Sequence, residues 1–328
     1  MSRPRVIAEW EPALGTMVTW PFEIPEQLVT DLANGAKLFV LVENEKETKA
    51  AEKQLKALGL KSKSFELVRT SSKTQWTRDW GPHQLVDSDG RRALVDHIFK
   101  GYPWVPADTK VTDLKYFSNG LGDDLATAEL ASHFKTWRVE IPAILTGGNL
   151  LVDGKGRAFC THAMLVENEP LMDQDKFRRL LLDKLGISDL VVLENTEKFG
   201  IQHIDCWLKL LNEETLLVKR VPVDHFEHDP LERNVERLSA LRAPSGKPYR
   251  IIRIDCPRIR QDEVPAYTNS LILNRVVHVP LFGIEADKQA LKTYASALPG
   301  YTIKGYVYKG WMHFDALHCR TRALFKEP

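Results

Sequence analysis

Cysteine is scarce in this sequence. Four residues in 328, Cys160, Cys206, Cys256 and Cys319, are too few and too scattered for a disulfide scaffold or a zinc ribbon. Net charge is scarce too. The 45 Lys+Arg against 44 Asp+Glu leave +1, which argues against non-specific nucleic-acid binding through a basic surface. Long apolar runs are missing. The longest, Leu38–Val42, falls far short of the ~20 residues that span a bilayer, so neither membrane nor nucleic acid is expected as a partner. After Met1-Ser2-Arg3-Pro4-Arg5 only Val6-Ile7-Ala8 precedes Glu9. That is too short for a signal-peptide core, and a cytoplasmic location is expected.

What the sequence does have is a rhythm. Helices are expected over Glu45–Leu58, capped by Asn44 and stopped by Gly59, over Asp124–Phe134, over Gln174–Leu185 between Asp173 and Gly186, over Leu231–Arg242 and over Glu285–Leu298, with a short one at Glu26–Asn34. Hairpins fall between them where turn residues separate short apolar runs: Gln84–Val86 with Ala93–His97, Leu150–Val152 with Ala158–Thr161, Trp207–Leu211 with Leu216–Arg220, and Ser270–Leu273 with Val276–Val279. The order hairpin, helix, strand recurs about five times. Helix starts near 124, 174, 231 and 285 recur at roughly 50–60 residues, which suggests a repeat architecture. No linker or low-complexity tract divides the chain, so 1–328 is expected to be one domain.

A polar residue in an unusual setting heads each hairpin. The series is Asp79 in Trp76-Thr77-Arg78-Asp79-Trp80-Gly81-Pro82, Asn149 in Thr146-Gly147-Gly148-Asn149, and His203 with Asp205 in Gln202-His203-Ile204-Asp205-Cys206-Trp207. Asn269 in Tyr267-Thr268-Asn269-Ser270 and Cys319 in Ala316-Leu317-His318-Cys319-Arg320-Thr321 complete it. If the units are related by rotation, two carboxylates, two amides, an imidazole and a thiol converge. Two carboxylates suit the planar fork of a guanidinium. A thiolate attacks its electrophilic carbon, and an imidazole carries protons to leaving ammonia and from water. No metal or organic cofactor is required.

Each residue alone has an ordinary reading. Cys319 could be a buried thiol, His203-x-Asp205 a strand end or two metal ligands lacking a third, and Asp79 a surface partner of Arg78. Asn149 and Asn269 could be turn residues. Cys160, Cys206 and Cys256 sit in apolar, strand-like contexts and read as packing thiols. His225, His228 and Asp229 read as a polar loop before a helix. Of Trp76, Trp104 and Trp311, only Trp76 is promoted from core to substrate wall.

Together these motifs, with Ala8-Glu9-Trp10-Glu11-Pro12, resemble the Porphyromonas-type peptidylarginine deiminase family, which includes agmatine deiminases and lies in the pentein superfamily of guanidino-modifying enzymes. They run in the family's order across nearly the whole chain. The resemblance implies an α/β fold, a five-bladed α/β propeller of pseudo-fivefold ββαβ units. It implies that Cys319 is the nucleophile and His203 the general acid/base. Asp79 and Asp205 would bind the guanidinium, Asn269 would support the site, Asn149 would contact substrate, and Trp76 would pack on the substrate's methylene chain. Two segments depart from the agmatine deiminase pattern: Phe314-Asp315-Ala316 replaces a Gly-rich stretch, and Thr146 replaces an acidic residue. The arginines with which the peptidylarginine type grips a carboxylate are not evident in Lys100-Gly101-Tyr102-Pro103-Trp104.

The expected activity is hydrolysis of the guanidinium of arginine or peptidyl-arginine to citrulline and ammonia through a cysteine thiouronium intermediate. The alternative is agmatine deimination to N-carbamoylputrescine. An amidinotransferase, which shares that intermediate, is a further class. The expected partner is a small guanidino substrate or an arginine-containing peptide, with a homo-oligomer left open.

Overall fold

Short apolar runs separated by Asx- and Gly-containing turns do form hairpins, and each is extended by a third strand returning parallel after a helix. The computed structural model describes residues 3–102, 105–106 and 120–326; Trp104 lies outside them. Five small sheets repeat one plan. Strands His83–Val86 and Arg92–Ile98 pair antiparallel, helix Gly120–Phe134 follows, and Trp137–Ile144 returns parallel to the second strand. The next unit has Leu151–Val152, Arg157–Thr161, helices His162–Asn168 and Gln174–Leu185, then Asp189–Leu193. A third has Leu208–Asn212, Thr215–Arg220, helix His228–Ala240 and Arg250–Asp255. A fourth has Leu271–Leu273, Val276–Leu281, helix Ala286–Ala297 and Thr302–Val307.

The fifth unit draws on both ends of the chain. Strand Arg322–Phe325 pairs antiparallel with Ala13–Thr19, Arg322 opposite Met17; helix Glu26–Gly35 and the parallel strand Lys37–Val42 complete the plan. Helix Glu45–Ala57 and strand Phe65–Arg69 extend this sheet. A hairpin split between residues 13 and 325 leaves no turn signal, which is why the periodicity exposed only four helix starts. These five ββαβ units are the α/β pentein propeller that the sequence motifs imply.

Helix ends follow local chemistry. The Asn44 side chain accepts from the Glu47 amide at 3.0 Å, and Asp173 accepts from Lys176 at 2.8 Å, each satisfying an orphan donor of the first turn. Gly186 ends its helix at φ 67°, where a Cβ would lie 1.8 Å from the Pro4 carbonyl oxygen. Helix Gln174–Leu185 buries Phe177, Leu181 and Leu185, one stripe at i, i+4 and i+8, against Ala158, Cys160 and Leu190 of its sheet. Two helices start earlier than expected. Gly120–Phe134 is anchored by Asp123, whose carboxylate accepts from the Lys73 and Thr74 amides. His228–Ala240 takes His228 and Asp229 into its first turn with Pro230, where a missing N–H costs nothing. No helix among the described residues is long and apolar enough to cross a membrane.

Candidate active site

The residues heading the hairpins sit on short, tight segments where chain enters sheet. Asp79 is on the one-turn helix Thr77–Trp80 and Asn149 on the 3-10 turn Gly147–Asn149. Asp205 is on the 3-10 turn Ile204–Cys206, with His203 just before it. Asn269 lies two residues before Leu271–Leu273, and Cys319 three before Arg322–Phe325. All six are buried. Carboxylates persist in such a place only when paired, and the partners come from other units.

The segments bond to one another. Asp79 Oδ1 accepts from the Gly148 amide at 2.9 Å and Oδ2 from the Tyr102 hydroxyl at 2.7 Å. His203 Nδ1 lies 3.5 Å from Asp79 Oδ1. The Arg78 amide donates to the Cys319 carbonyl at 3.1 Å. Asn269 Nδ2 donates to Cys319 Sγ at 3.2 Å, while its Oδ1 accepts from the His318 amide at 2.9 Å and the Cys319 amide at 3.3 Å. Asp205 Oδ2 lies 3.9 Å from Cys319 Sγ and 2.6 Å from His318 Nδ1. Asn149 Oδ1 accepts from the Thr161 amide at 3.0 Å; its Nδ2 is buried with no hydrogen-bond partner among the described residues.

Environment drives the two carboxylates apart. Burial raises the Asp79 carboxyl to about 6; neighbouring His203 and the Tyr102 bond pull the other way, and the Asp205 charge adds to the rise. Burial also works to raise Asp205, but the bond and charge of His318, with His203 and Arg78 nearby, hold it below the usual carboxylate range. For Cys319, a hydrogen bond with Cys206 works to lower the thiol, yet burial and the charges of Asp205, Asp79 and Asp315 push it up to about 11. The resting site therefore holds a thiol beside carboxylates whose charge opposes its ionisation.

Trp76, Asp79 and Cys319 line one cleft of about 210 Å³, together with Tyr102, Ile201, Phe314 and Asp315. Trp76 packs edge-on to Tyr102, with ring centroids 5.0 Å apart. Asp315 is engaged by Arg320 through two bonds of 3.0 and 2.7 Å. No Lys or Arg is among the described residues lining the cleft.

Four participants escaped the sequence reading. Tyr102 follows no motif. Gly148 and His318 stood inside quoted motifs without a role. Cys206, read as a packing thiol in strand-like context, is on a turn, and its sulfur lies within 4.8 Å of Cys319 Sγ and of an Asp205 oxygen. Asp205, Cys206 and Cys319 are the described groups whose atoms are close enough to share a metal ion. Asp205 and Cys319 are already bonded to His318 and Asn269. Cys160 and Cys256 pack in the core as expected.

Residues 5–324 match the family model described as Porphyromonas-type peptidyl-arginine deiminase. A Selenomonas ruminantium protein named provisionally as an agmatine deiminase is 23% identical, the alignment covering 89% of this chain and 87% of that one. The solved agmatine deiminase of Enterococcus faecalis has the same fold, with a TM-score of 0.83 at 19% identity over 99% of this chain and 96% of that one. The C. jejuni agmatine deiminase matches with a TM-score of 0.77 at 18% identity over 98% and 96%. With the family pattern running from strand Arg5–Val6 to strand Arg322–Phe325, the chain belongs to the Porphyromonas-type peptidyl-arginine deiminase family, hydrolases that cleave carbon–nitrogen bonds of guanidino groups.

Proposed function

We propose that the protein, as a single catalytic domain, deiminates a guanidino compound carrying no free carboxylate beside its chain, namely agmatine or an arginine held within a peptide. One observation carries this reading: the thiol and a guanidinium-binding carboxylate open onto the same cleft, whose described lining holds acids and apolar side chains and no cation. Free arginine would bring its carboxylate to that wall without a partner. The family model favours the peptide substrate and the named relatives favour agmatine; both satisfy the cleft.

The chemistry follows from the charges. Asp79 and Asp205 take the guanidinium in charge-assisted hydrogen bonds, each worth about 1.5–3 kcal/mol. A thiol at about 11 is thiolate in roughly one molecule in ten thousand at pH 7. The entering cation neutralises the carboxylates that oppose ionisation and stabilises the thiolate, so substrate activates its own nucleophile. Cys319 Sγ then bonds to the guanidinium carbon. The carbon–nitrogen bond breaks, and ammonia leaves with a proton supplied by His203. Water attacks the thiouronium carbon, His203 takes its proton, and the carbon–sulfur bond breaks to return the thiolate and release the ureido product. Asn269 holds the sulfur throughout, and Trp76 covers the methylene chain.

Ammonia release from agmatine, an N-acylarginine amide and free arginine tests this. Turnover of either of the first two at a kcat/KM at least tenfold above free arginine is expected, and Cys319→Ser abolishes it. Release from none of the three by reduced protein overturns the reading. Product formation without an added amine separates hydrolysis from amidino transfer.

A further inference from the structure

Glu9 belongs to a quoted motif that has no place in the chemistry above, yet it reaches the site. Its Oε2 lies 2.5 Å from His318 Nε2, and the other ring nitrogen of His318 lies 2.6 Å from Asp205 Oδ2. One imidazole thus bridges a carboxylate from the N-terminal stretch and one from the middle of the chain. Glu9 is itself held by the Lys209 ammonium, by the Ile272 amide at 2.9 Å and by Arg78 at 3.2 Å. Burial opposes its charge, but Lys209, His318 and Arg78 outweigh that and hold its carboxyl well below the usual range.

The ring faces charges from four segments: Glu9 from the N-terminal stretch, Arg78 from the one-turn helix, Asp205 from the 3-10 turn and Lys209 from a strand. Asp79, His203 and Cys319 also act on Asp205. Burial and the two cations outweigh Glu9 and Asp205 and lower the His318 pKa. The hydrogen-bond geometry points the other way, to a ring protonated on both nitrogens. With both carboxylates ionised, a neutral imidazole sets a bare nitrogen lone pair against an anionic oxygen at about 2.5 Å, whereas the imidazolium supplies a donor to each.

We propose that His318 is a positioning residue for guanidinium binding: as an imidazolium strut between Glu9 and Asp205, it fixes and keeps ionised the carboxylate beside the nucleophile, and Glu9 supplies the counter-charge that retains the second ring proton. The bond to His318 and the 3.9 Å approach to Cys319 Sγ meet at the same atom, Asp205 Oδ2. The strut therefore sets where a guanidinium nitrogen finds its acceptor relative to the sulfur. The inference rests on the deiminase reading for its purpose, although not for its test.

The test compares Glu9→Gln and His318→Gln with the wild type, using whichever guanidino substrate the wild type turns over. In the wild type the Asp79 carboxyl, held at about 6, adds one unit to the acid-side slope of log kcat/KM. Without the imidazolium, Asp205 loses the bond and the largest charge that oppose its burial, and its pKa rises. In His318→Gln the acid-side slope therefore steepens by up to one further unit, and kcat/KM at pH 8 drops by about 10–100-fold, the span of a lost hydrogen bond to a charged group. Glu9→Gln falls between the two. A structural role would scale the profile without changing its slope, and parallel profiles overturn the proposal. Nitrogen-15 NMR of the resting protein at pH 7 gives an arm that needs no turnover. His318 shows two ring N–H protons in the wild type and one in Glu9→Gln; a single ring proton in the wild type overturns the strut even if the deiminase reading stands. Should His318→Gln fail to fold, Glu9→Gln and the ring-proton count decide alone.

Discussion

The amide of Gly148 sits 2.9 Å from Asp79 Oδ1, and a Cβ built on that glycine would lie 2.6 Å from the same oxygen. It would also lie 2.7 Å from His203 Nδ1 and 3.2 Å from Asp205 Oδ2. Three groups assigned to the chemistry thus crowd the one hydrogen that glycine offers. Gly148→Ala must move at least one of them, and all three are buried where side chains have little room. The expected result is a loss of at least ~100-fold in kcat/KM, with a stability cost of about 1–3 kcal/mol from overpacking. Steady-state kinetics and a denaturant titration check both. Near-normal kcat/KM would show that the site tolerates displacement of its carboxylates.

Asp79 is costly to the empty protein. Its carboxyl is held at about 6 against an ordinary 3.8, chiefly by burial. The folded protein therefore binds this proton more tightly than the unfolded chain. The contribution to stability is full below pH 4 and is lost as pH rises through about 6, a difference of order 3 kcal/mol. Asp79→Asn cannot titrate. It should match the wild type at pH 4 and become more stable than it by a few kcal/mol at pH 7, while losing turnover. Urea titrations at the two pH values measure this; a stability gap that does not widen with pH would falsify the assignment.

Most of the site was legible because its residues head hairpins, and hairpins announce themselves through local turn chemistry. Asp79, Asn149, Asp205 and Asn269 each stand within four residues of the strand that opens a hairpin, and Cys319 stands three residues before Arg322–Phe325, so local pattern and repeat spacing led to them together. The members that escaped are those whose role exists only in three dimensions. Tyr102 reaches Asp79 across 23 residues and His318 reaches Glu9 across 309, and neither distance leaves a sequence period. The fifth unit was hidden for the same reason, its antiparallel pair being assembled from Arg322–Phe325 and Ala13–Thr19. Cys206 misled because its neighbours Trp207 and Leu208 are apolar. Those residues belong to the core, while Cys206 belongs to the turn that carries Asp205.

Tyr102 lowers the very carboxyl that burial raises. Its hydroxyl donates to Asp79 Oδ2 at 2.7 Å, favouring the ionised form. Removing that donor in Tyr102→Phe leaves burial and the charge of Asp205 less opposed. The Asp79 pKa then rises, and the acid limb of kcat/KM moves to higher pH. About tenfold lower kcat/KM is expected at pH 6.5, narrowing at pH 9, where Asp79 is ionised in both proteins. A constant ratio across this range would assign Tyr102 to packing against Trp76 alone.

The Cys319 thiol is restrained by like charge, so removing charge should release it. At about 11, with Asp205, Asp79 and Asp315 among the causes, the resting thiol reacts with iodoacetamide slowly at pH 7, and its rate climbs about tenfold per pH unit as far as pH 10. Asp79→Asn deletes one opposing charge and keeps the side-chain shape. Its Cys319 should be alkylated several-fold faster than the wild type at pH 8, although this variant turns over no substrate. The inverse relation between thiol reactivity and turnover separates electrostatic restraint from simple steric access, because an opened cleft would also expose Cys206, which directly follows Asp205 on the same turn. Peptide mapping by mass reads both cysteines. A slower or equal rate in Asp79→Asn would mean that access, rather than the carboxylates, limits the thiol, and that the guanidinium does not activate its nucleophile by neutralising them.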